Sequence, residues 1–183
     1  MFGVVTANSS TAQIVTAVGA CVAAAASLGG LLAIFLEVRL DHKRRRNQAT
    51  IDTWVGTSEY RRTLREAVTK AIGSEPLDDF AIEYIEADQT TRDALRRLLG
   101  GLEHVALGVN TKVFDFKVLD RLSGSFILRT FANSEPFIKN LRSTQPTAYS
   151  ELEVLAKRIW KYRNDNGTLP TMPREPSWAK QSA

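Results

Sequence analysis

The first 36 residues of the chain contain no Asp, Glu, Lys, Arg or His, and no other feature of the sequence constrains the fold as strongly. The 24 Lys and Arg residues and the 20 Asp and Glu residues therefore all lie in residues 37–183. This density of charge, 44 in 147 residues, is typical of a small globular domain with a solvated surface. The sequence thus predicts an uncharged leader and a charged body that is large enough for one modest hydrophobic core.

Residues 14–36 are a candidate transmembrane helix. This 23-residue stretch is apolar apart from Thr16 and Ser27, whose hydroxyl groups can both bond to carbonyls of their own helix. A helix of this length reaches roughly 34 Å, and the hydrocarbon core of a bilayer is ~30 Å thick. A cleaved signal peptide, a lipid-modified Cys21 and a buried hairpin are alternatives, but the neutral start and the cations after the stretch favour a membrane span.

The basic residues after this stretch predict its orientation. Because cationic flanks stay in the cytoplasm, we expect residues 1–13 outside the membrane and the body in the cytoplasm. Five of the 24 basic and two of the 20 acidic residues lie in residues 37–46, which leaves 19 against 18 in residues 47–183. The charge excess thus indicates a lipid bilayer as partner and no nucleic acid. The flank residues are Arg39, Lys43, Arg44, Arg45 and Arg46.

Small residues recur every four positions within the candidate span. Small side chains at this spacing let two membrane helices approach closely, which is how such helices associate in lipid. We therefore expect a homo-oligomer formed through the span. The two stripes consist of Ala17, Cys21, Ala25 and Gly29, and of Gly19, Ala23 and Ser27.

The periodicity of the body predicts an all-α fold, in which the N-terminal transmembrane helix is followed by a compact cytoplasmic array of about six helices. The best core helix is expected over residues 91–109 with Thr91 as its N-cap, and Gly100 and Gly101 in its middle are predicted to allow close approach by another helix. Pro136 is expected to begin a separate, shorter helix. The predicted divisions are a basic helix extension over residues 37–56, the helical domain over residues 57–167 and a disordered tail over residues 168–183.

The sequence contains no recognisable catalytic constellation. The single Cys excludes an intramolecular disulfide and a Cys-based zinc cluster, and His42 and His104 lie far apart. Glycine-rich phosphate loops and nucleophile motifs are missing. A divalent cation could bind to the acids Asp78, Asp79, Glu83 and Glu86, but a solvated helix face or a surface that pairs with arginines is favoured. We therefore expect no enzyme, no cofactor and no metal.

One acidic residue of the core helix is expected to have a structural role. Glu103 lies at the edge of the apolar face of that helix, where a carboxylate needs a partner. We expect a structural ion pair between Glu103 and an arginine of another helix, with Arg142 as the candidate partner alongside Arg121 and Arg129.

Three strings between Leu98 and Lys161 resemble a widespread bacterial family of small membrane-anchored proteins, which is known only as a domain of unknown function. They are LLGGLEHVALGVN, FDFKVLDRL and FIKNLRSTQPTAYSELEVLAKRIW. The resemblance implies one N-terminal span, a basic flank and a helical cytoplasmic domain, and it implies no catalytic residues. The residues that carry it are Glu103, Gly108, Asp115, Arg142, Pro146 and Tyr149.

Together these patterns favour a single-pass protein of the bacterial inner membrane. Its cytoplasmic domain is expected to act as a non-catalytic module that binds an unknown protein or small ligand, or that self-associates. The alternative is an oligomeric membrane effector whose spans form a ligand-gated pore, as in bacterial anti-phage defence.

Overall fold

A computed structural model describes the backbone of residues 8–72, 77–172 and 175–179, and their side chains except those of residues 8–18, 20–26, 71, 72 and 79. These described residues form helices and no strand, as the periodicity predicted. The helices are α1 (Asn8–Gly56), α2 (Ser58–Ile72), α3 (Asp79–Ala87), α4 (Gln89–Asn110), α5 (Phe116–Arg142) and α6 (Ser150–Asp165).

The chain divides into two compact units, residues 1–45 and residues 46–183. In the first unit, most side chains of the predicted span, including Ala17, Cys21, Ala23 and Ala25, lie outside the described residues. Among the residues that the structure does describe, no helix is both long enough and apolar enough to cross a bilayer. Two of the predicted packing residues, Gly19 and Gly29, have open space where a Cβ would lie.

The described end of the first unit is unusually apolar for an exposed surface. Leu28, Leu31 and Leu32 are each at least 60% exposed, and Ile34 and Phe35 are similarly uncovered. Within the basic flank, the Arg45 guanidinium lies 2.7 Å from the Asp41 carboxylate in an exposed i,i+4 pair. Such pairs stabilise a helix only slightly, so the apolar exposure is the feature that requires an explanation.

The core of the second unit is built from α4, α5 and α6. Helix α4 contributes one broad apolar face, on which Leu99, Leu102 and Ala106 are fully buried. This face is where the sequence placed the best core helix. The facing side chains are Leu119, Ile127, Leu128, Phe131, Phe137 and Ile138 of α5 and Leu152, Leu155, Ala156 and Ile159 of α6.

Aspartates fix the starts of three helices. Asp78 accepts a hydrogen bond from the Ala81 amide at the start of α3, and Asp115 accepts hydrogen bonds from the Lys117 and Val118 amides at the start of α5. The predicted cap Thr91 is wrong, since Asp88 accepts from both the amide and the hydroxyl of Thr91. Helix α4 therefore begins earlier than expected, and Thr91 is buried in its first turn.

The expected break at Pro136 is also wrong, because α5 runs without interruption through this proline. A proline inside a helix removes one backbone hydrogen bond and costs about 3 kcal/mol. The burial of Phe131 and Ala132 before Pro136 and of Phe137 and Ile138 after it outweighs that cost, since a bend would expose one of the two pairs.

The described part of the C-terminal segment packs on the core, although the sequence predicted a disordered tail. Leu169 and Met172 contact the core, and the Trp178 ring meets the Trp160 ring edge-to-face at 5.6 Å. Glu135 of α5 accepts hydrogen bonds from the Ser177 amide and hydroxyl. Three widely spaced apolar side chains thus anchor a segment whose composition alone suggested disorder.

Glu103 and Arg142 do not form the predicted ion pair. The Glu103 carboxylate accepts hydrogen bonds from the amides of Glu151 (3.1 Å) and Leu152 (2.7 Å) in the first turn of α6. This turn needs an acceptor, because its N-cap Tyr149 supplies no side-chain hydrogen bond. Arg142 pairs instead with Glu153, at 2.6 Å.

A second ion pair ties α5 to α6. The Arg163 guanidinium lies 2.7 Å from the Asp120 carboxylate, and both side chains are largely buried. Gly124 makes this arrangement possible, since a Cβ there would clash with the Asp120 carboxylate and would lie 2.6 Å from the Arg163 guanidinium. The close approach that the sequence assigned to Gly100 and Gly101 therefore occurs at a different glycine.

We expect Gly124→Ala to lower the free energy of unfolding by about 2 kcal/mol or more, because the methyl group disrupts a buried ion pair. Gly100→Ala is the matched control, since nothing lies within 4 Å of its added Cβ and the substitution favours the helix by up to ~1 kcal/mol. Urea unfolding followed by circular dichroism measures both. Equal stability of the two variants would contradict this account of Gly124.

The Glu153 carboxylate gives α6 a pH-dependent contact. Burial alone would raise the pKa of Glu153, but the hydrogen bonds and charges of Lys157 and Arg142 outweigh burial and lower this pKa below its usual value. A carboxyl group whose pKa is lower in the folded state stabilises the fold at pH values above its unfolded-state pKa. This stabilisation is lost as the pH falls through the folded-state pKa.

We therefore expect wild-type protein to be more stable than Glu153→Gln near neutral pH, and the difference to disappear as the pH is lowered through the folded-state pKa of Glu153. Thermal unfolding of both proteins across this pH range measures the difference. A stability difference that does not change with pH would show that the Glu153 charge contributes nothing.

Candidate functional site

A cavity of about 340 Å³ lies in the second unit between the end of α1, helix α2, helix α4 and the turn before α5. This volume lies near the lower end of the range for small-molecule sites. We call it the α1–α2–α4 cavity. Its lining residues are Thr53, Thr57, Tyr60, Arg61, Leu64, Arg97, Leu98, Gly101, His104, Val105 and Phe114.

Gly101 provides part of the space. No atom lies within 4 Å of the position that a Cβ would occupy at Gly100 or at Gly101. The prediction that these glycines accommodate a neighbouring helix is therefore wrong. Because Gly101 lines the cavity, its missing side chain leaves room for a ligand at the cost of helix stability.

The walls of the cavity are largely apolar. Leu64 of α2 and Leu98 of α4 are buried and pack in one small cluster, and Val105 lies two turns further along α4. Phe114 also lines the cavity, and its carbonyl accepts a hydrogen bond from Arg46 at 3.1 Å. The enclosed surface thus favours a ligand with an apolar part.

Arg61 is the buried charge of the cavity. Its side chain is only 8% exposed, and its guanidinium lies 3.5 Å above the Trp54 ring. It donates hydrogen bonds to the Trp54 carbonyl, at 2.5 Å, and to the Thr57 hydroxyl. Burial lowers the pKa of Arg61 from its usual value, although an arginine remains protonated near neutral pH.

The charge of Arg61 has no acidic counterpart in the described part of the chain, where no carboxylate lies within ion-pair distance of it. The nearest acidic residues in the sequence, Glu59 and Glu66, are exposed, and both lie within ion-pair distance of Arg62 instead. Buried arginines are normally paired, because an uncompensated buried charge is costly. The Arg61 guanidinium is therefore available to form an ion pair with an anion.

Two further groups add positive charge or hydrogen-bond donors. Arg97 and His104 lie on the α4 side of the cavity, and the His104 Nδ1 atom is 3.1 Å from the Gly100 carbonyl oxygen. His104 is exposed. No Asp or Glu is among the described residues that line the cavity, so its electrostatic potential favours anions.

Gly101 and His104 line the cavity, whereas most other residues singled out from the sequence lie elsewhere. Glu103 and Arg142 organise α6, and the flank residues Arg39 to Arg45 belong to the first unit, while Arg46 supports the cavity through Phe114. Among the described residues, no group of three His, Cys, Asp or Glu side chains could hold the divalent cation that the sequence left as an alternative. The side chain of Asp79, one of the candidate ligands, lies outside the described residues.

Two other depressions are less enclosed. One of about 720 Å³ lies between α3 and α5 beside Glu83 and Lys139, and one of about 360 Å³ lies on α6 beside Arg158 and Tyr162. Neither contains a buried charged side chain among its described residues, since their polar groups reach solvent. The α1–α2–α4 cavity is therefore the candidate site.

Comparison with known proteins finds one family, described as a domain of unknown function and designated DUF4760, whose model matches residues 14–159. No curated protein and no solved structure matches the chain. The matched range begins at the first residue of the apolar stretch and includes every residue that lines the cavity. It covers most of the sequence, and the protein therefore belongs to the DUF4760 family of unknown function.

Proposed function

We propose that this protein is a membrane-anchored, non-catalytic binding module. Residues 14–36 anchor it in the bacterial inner membrane with the N-terminus outside, and the cytoplasmic helical domain binds a small ligand in the α1–α2–α4 cavity. One observation carries the proposal, namely the buried Arg61, which has no carboxylate partner in the described structure and lines an apolar cavity.

Two features support the anchor. Exposed large apolar side chains such as Leu28, Leu31 and Phe35 follow one another around the described part of the stretch, and a helix that is apolar on all sides requires an apolar environment. The basic flank then fixes the orientation, because cations stay on the cytoplasmic side. The family match from residue 14 makes the apolar stretch part of the same unit of sequence as the cavity.

The lining of the cavity supports binding rather than catalysis. Arg61 and Arg97 can orient an anion, and the leucine and valine side chains can bury an apolar group. General acid–base or nucleophilic chemistry would require a base positioned against a reacting group. The side chains of Tyr60 and His104 are both exposed, and the His104 Nδ1 atom faces the Gly100 carbonyl oxygen of its own helix.

Self-association through the span is the second part of the proposal. The two small-residue stripes allow close contact between two helices in lipid. A larger assembly of the same spans would correspond to the alternative function, a ligand-gated pore of a membrane effector. The oligomeric state therefore discriminates between a binding module and a pore.

We expect the full-length protein to remain in the membrane fraction after a carbonate wash and to be released only by detergent. The double substitution Ala25→Asp and Ala26→Asp should move it to the supernatant, because each aspartate costs about 2.5–3.5 kcal/mol near the centre of a span. Ala25→Leu with Ala26→Leu is the matched control and should stay in the membrane. Wild-type protein in the supernatant without detergent would contradict the anchor.

We expect oxidative crosslinking through Cys21 in native membranes to give a disulfide-linked dimer, since Cys21 is the only cysteine and lies on one of the stripes. Gly29→Leu, on the same stripe, should reduce the yield several-fold, whereas Leu31→Ile should not. A disulfide can join only two chains, so an additional amine-reactive crosslinker is used to count subunits. Monomer alone in both experiments would contradict self-association, and a species larger than a dimer would favour the pore.

A further inference from the structure

We infer that the α1–α2–α4 cavity is a binding site for a small amphiphilic anion, whose carboxylate or phosphate group is bound by the Arg61 guanidinium and whose apolar part lies against Leu64, Leu98 and Val105. The inference rests on the proposed function and names the chemical class of its ligand. It can fail while the cavity remains a binding site.

The first step concerns the unused hydrogen-bonding capacity of Arg61. A guanidinium group has five N–H donors, and the contacts of Arg61 with the Trp54 carbonyl and the Thr57 hydroxyl use one donor on each terminal nitrogen. The planar group is held against the Trp54 ring, so its orientation is fixed before any ligand arrives. A fixed guanidinium with free donors is suited to bind the two oxygens of a carboxylate or phosphate.

The second step concerns the sign of the ligand charge. Arg61 is buried, Arg97 and His104 lie at the same cavity, and the described lining includes no acidic side chain. A cationic ligand would add to an uncompensated positive charge in a site of low dielectric constant, whereas an anion would neutralise it. The site therefore selects an anion over a cation or a neutral molecule of the same shape.

The third step concerns the rest of the ligand. Inorganic phosphate would leave Leu64, Leu98 and Val105 facing an empty or water-filled space, because these apolar side chains line the cavity and offer phosphate no hydrogen bond. An apolar chain or ring attached to the anion would remove that surface from water. The open position beside Gly101 provides the space for it.

This chemistry has two natural sources, an acidic lipid or fatty acid of the membrane and a soluble metabolite. Both present a carboxylate or phosphate on an apolar body, so the cavity alone does not separate them. The membrane composition used in the experiment therefore distinguishes the two sources.

Trp54 offers a direct readout of binding. Its ring is stacked with the Arg61 guanidinium, so an anion at Arg61 changes the environment of the indole. The chain has three tryptophans, and Trp160 and Trp178 contact each other away from the cavity. A fluorescence change that disappears in Trp54→Phe, while calorimetry still detects binding, assigns the signal to this site.

The test uses full-length protein in nanodiscs of neutral phosphatidylcholine, titrated with octyl phosphate, octanoate, octylamine, octanol and inorganic phosphate. We expect saturable binding of octyl phosphate and octanoate that is at least tenfold tighter than binding of octylamine, octanol or phosphate. Arg61→Gln should weaken octyl phosphate at least tenfold. Arg62→Gln, an exposed neighbour paired with Glu59, should change the affinity less than twofold.

Two further variants keep the result interpretable. Gly101→Leu fills the cavity and should abolish binding, whereas Gly100→Leu, one position away, should not. Arg61→Lys keeps the charge without the planar guanidinium and should bind octyl phosphate with intermediate affinity. This variant tests the inference if circular dichroism shows that Arg61→Gln is misfolded. Repeating the octyl phosphate titration in nanodiscs that contain phosphatidylglycerol separates the sources, because competition there indicates a lipid ligand and an unchanged affinity indicates a soluble one.

Octanol or octylamine that binds as tightly as octyl phosphate, with Gly101→Leu still abolishing binding, would overturn the anion inference and leave the proposed binding function standing. Absence of binding by every probe, or binding that Gly101→Leu does not affect, would overturn both. Binding that Arg61→Gln and Arg62→Gln weaken equally would also overturn the inference, since it would reflect surface charge alone.

Discussion

The second unit depends on one helix, α4, because each side of α4 contacts a different neighbour. Its apolar face is buried in the core, and its Glu103 carboxylate caps the first turn of α6. Its remaining side, with Leu98 and Gly101, forms a wall of the α1–α2–α4 cavity. The packing of α4 against α6 therefore also determines where the cavity wall lies, so fold and candidate site share a single support.

Much of the helical architecture could be predicted from periodicity and capping, and the errors have physical causes. Asp115 was recognisable as a cap because a short polar side chain precedes a regular apolar pattern. Glu103 could not be assigned, since its partners are backbone amides of Glu151 and Leu152, about 50 positions along the chain. Pro136 was misread because local rules do not include the burial on both of its sides.

The cavity could not be found from the sequence for a related reason. Arg61 lies near the start of α2, close in sequence to Arg62 and Arg65, and a cluster of arginines usually lies on a solvated helix face. Only the fold shows that one of them is stacked on Trp54 and buried. The sole sequence signal was Gly101, a costly residue inside a strong helix, and it was interpreted as a helix contact when it marks an open space.

The cost of Arg61 supports a role in binding over a role in folding. A buried cation that serves stability alone is usually paired with a carboxylate, as Arg163 is with Asp120 in the same unit. Arg61 has instead two hydrogen bonds and an aromatic face, which hold the guanidinium in position without neutralising its charge. An anionic ligand would supply the missing charge, and the protein would be more stable with ligand than without it.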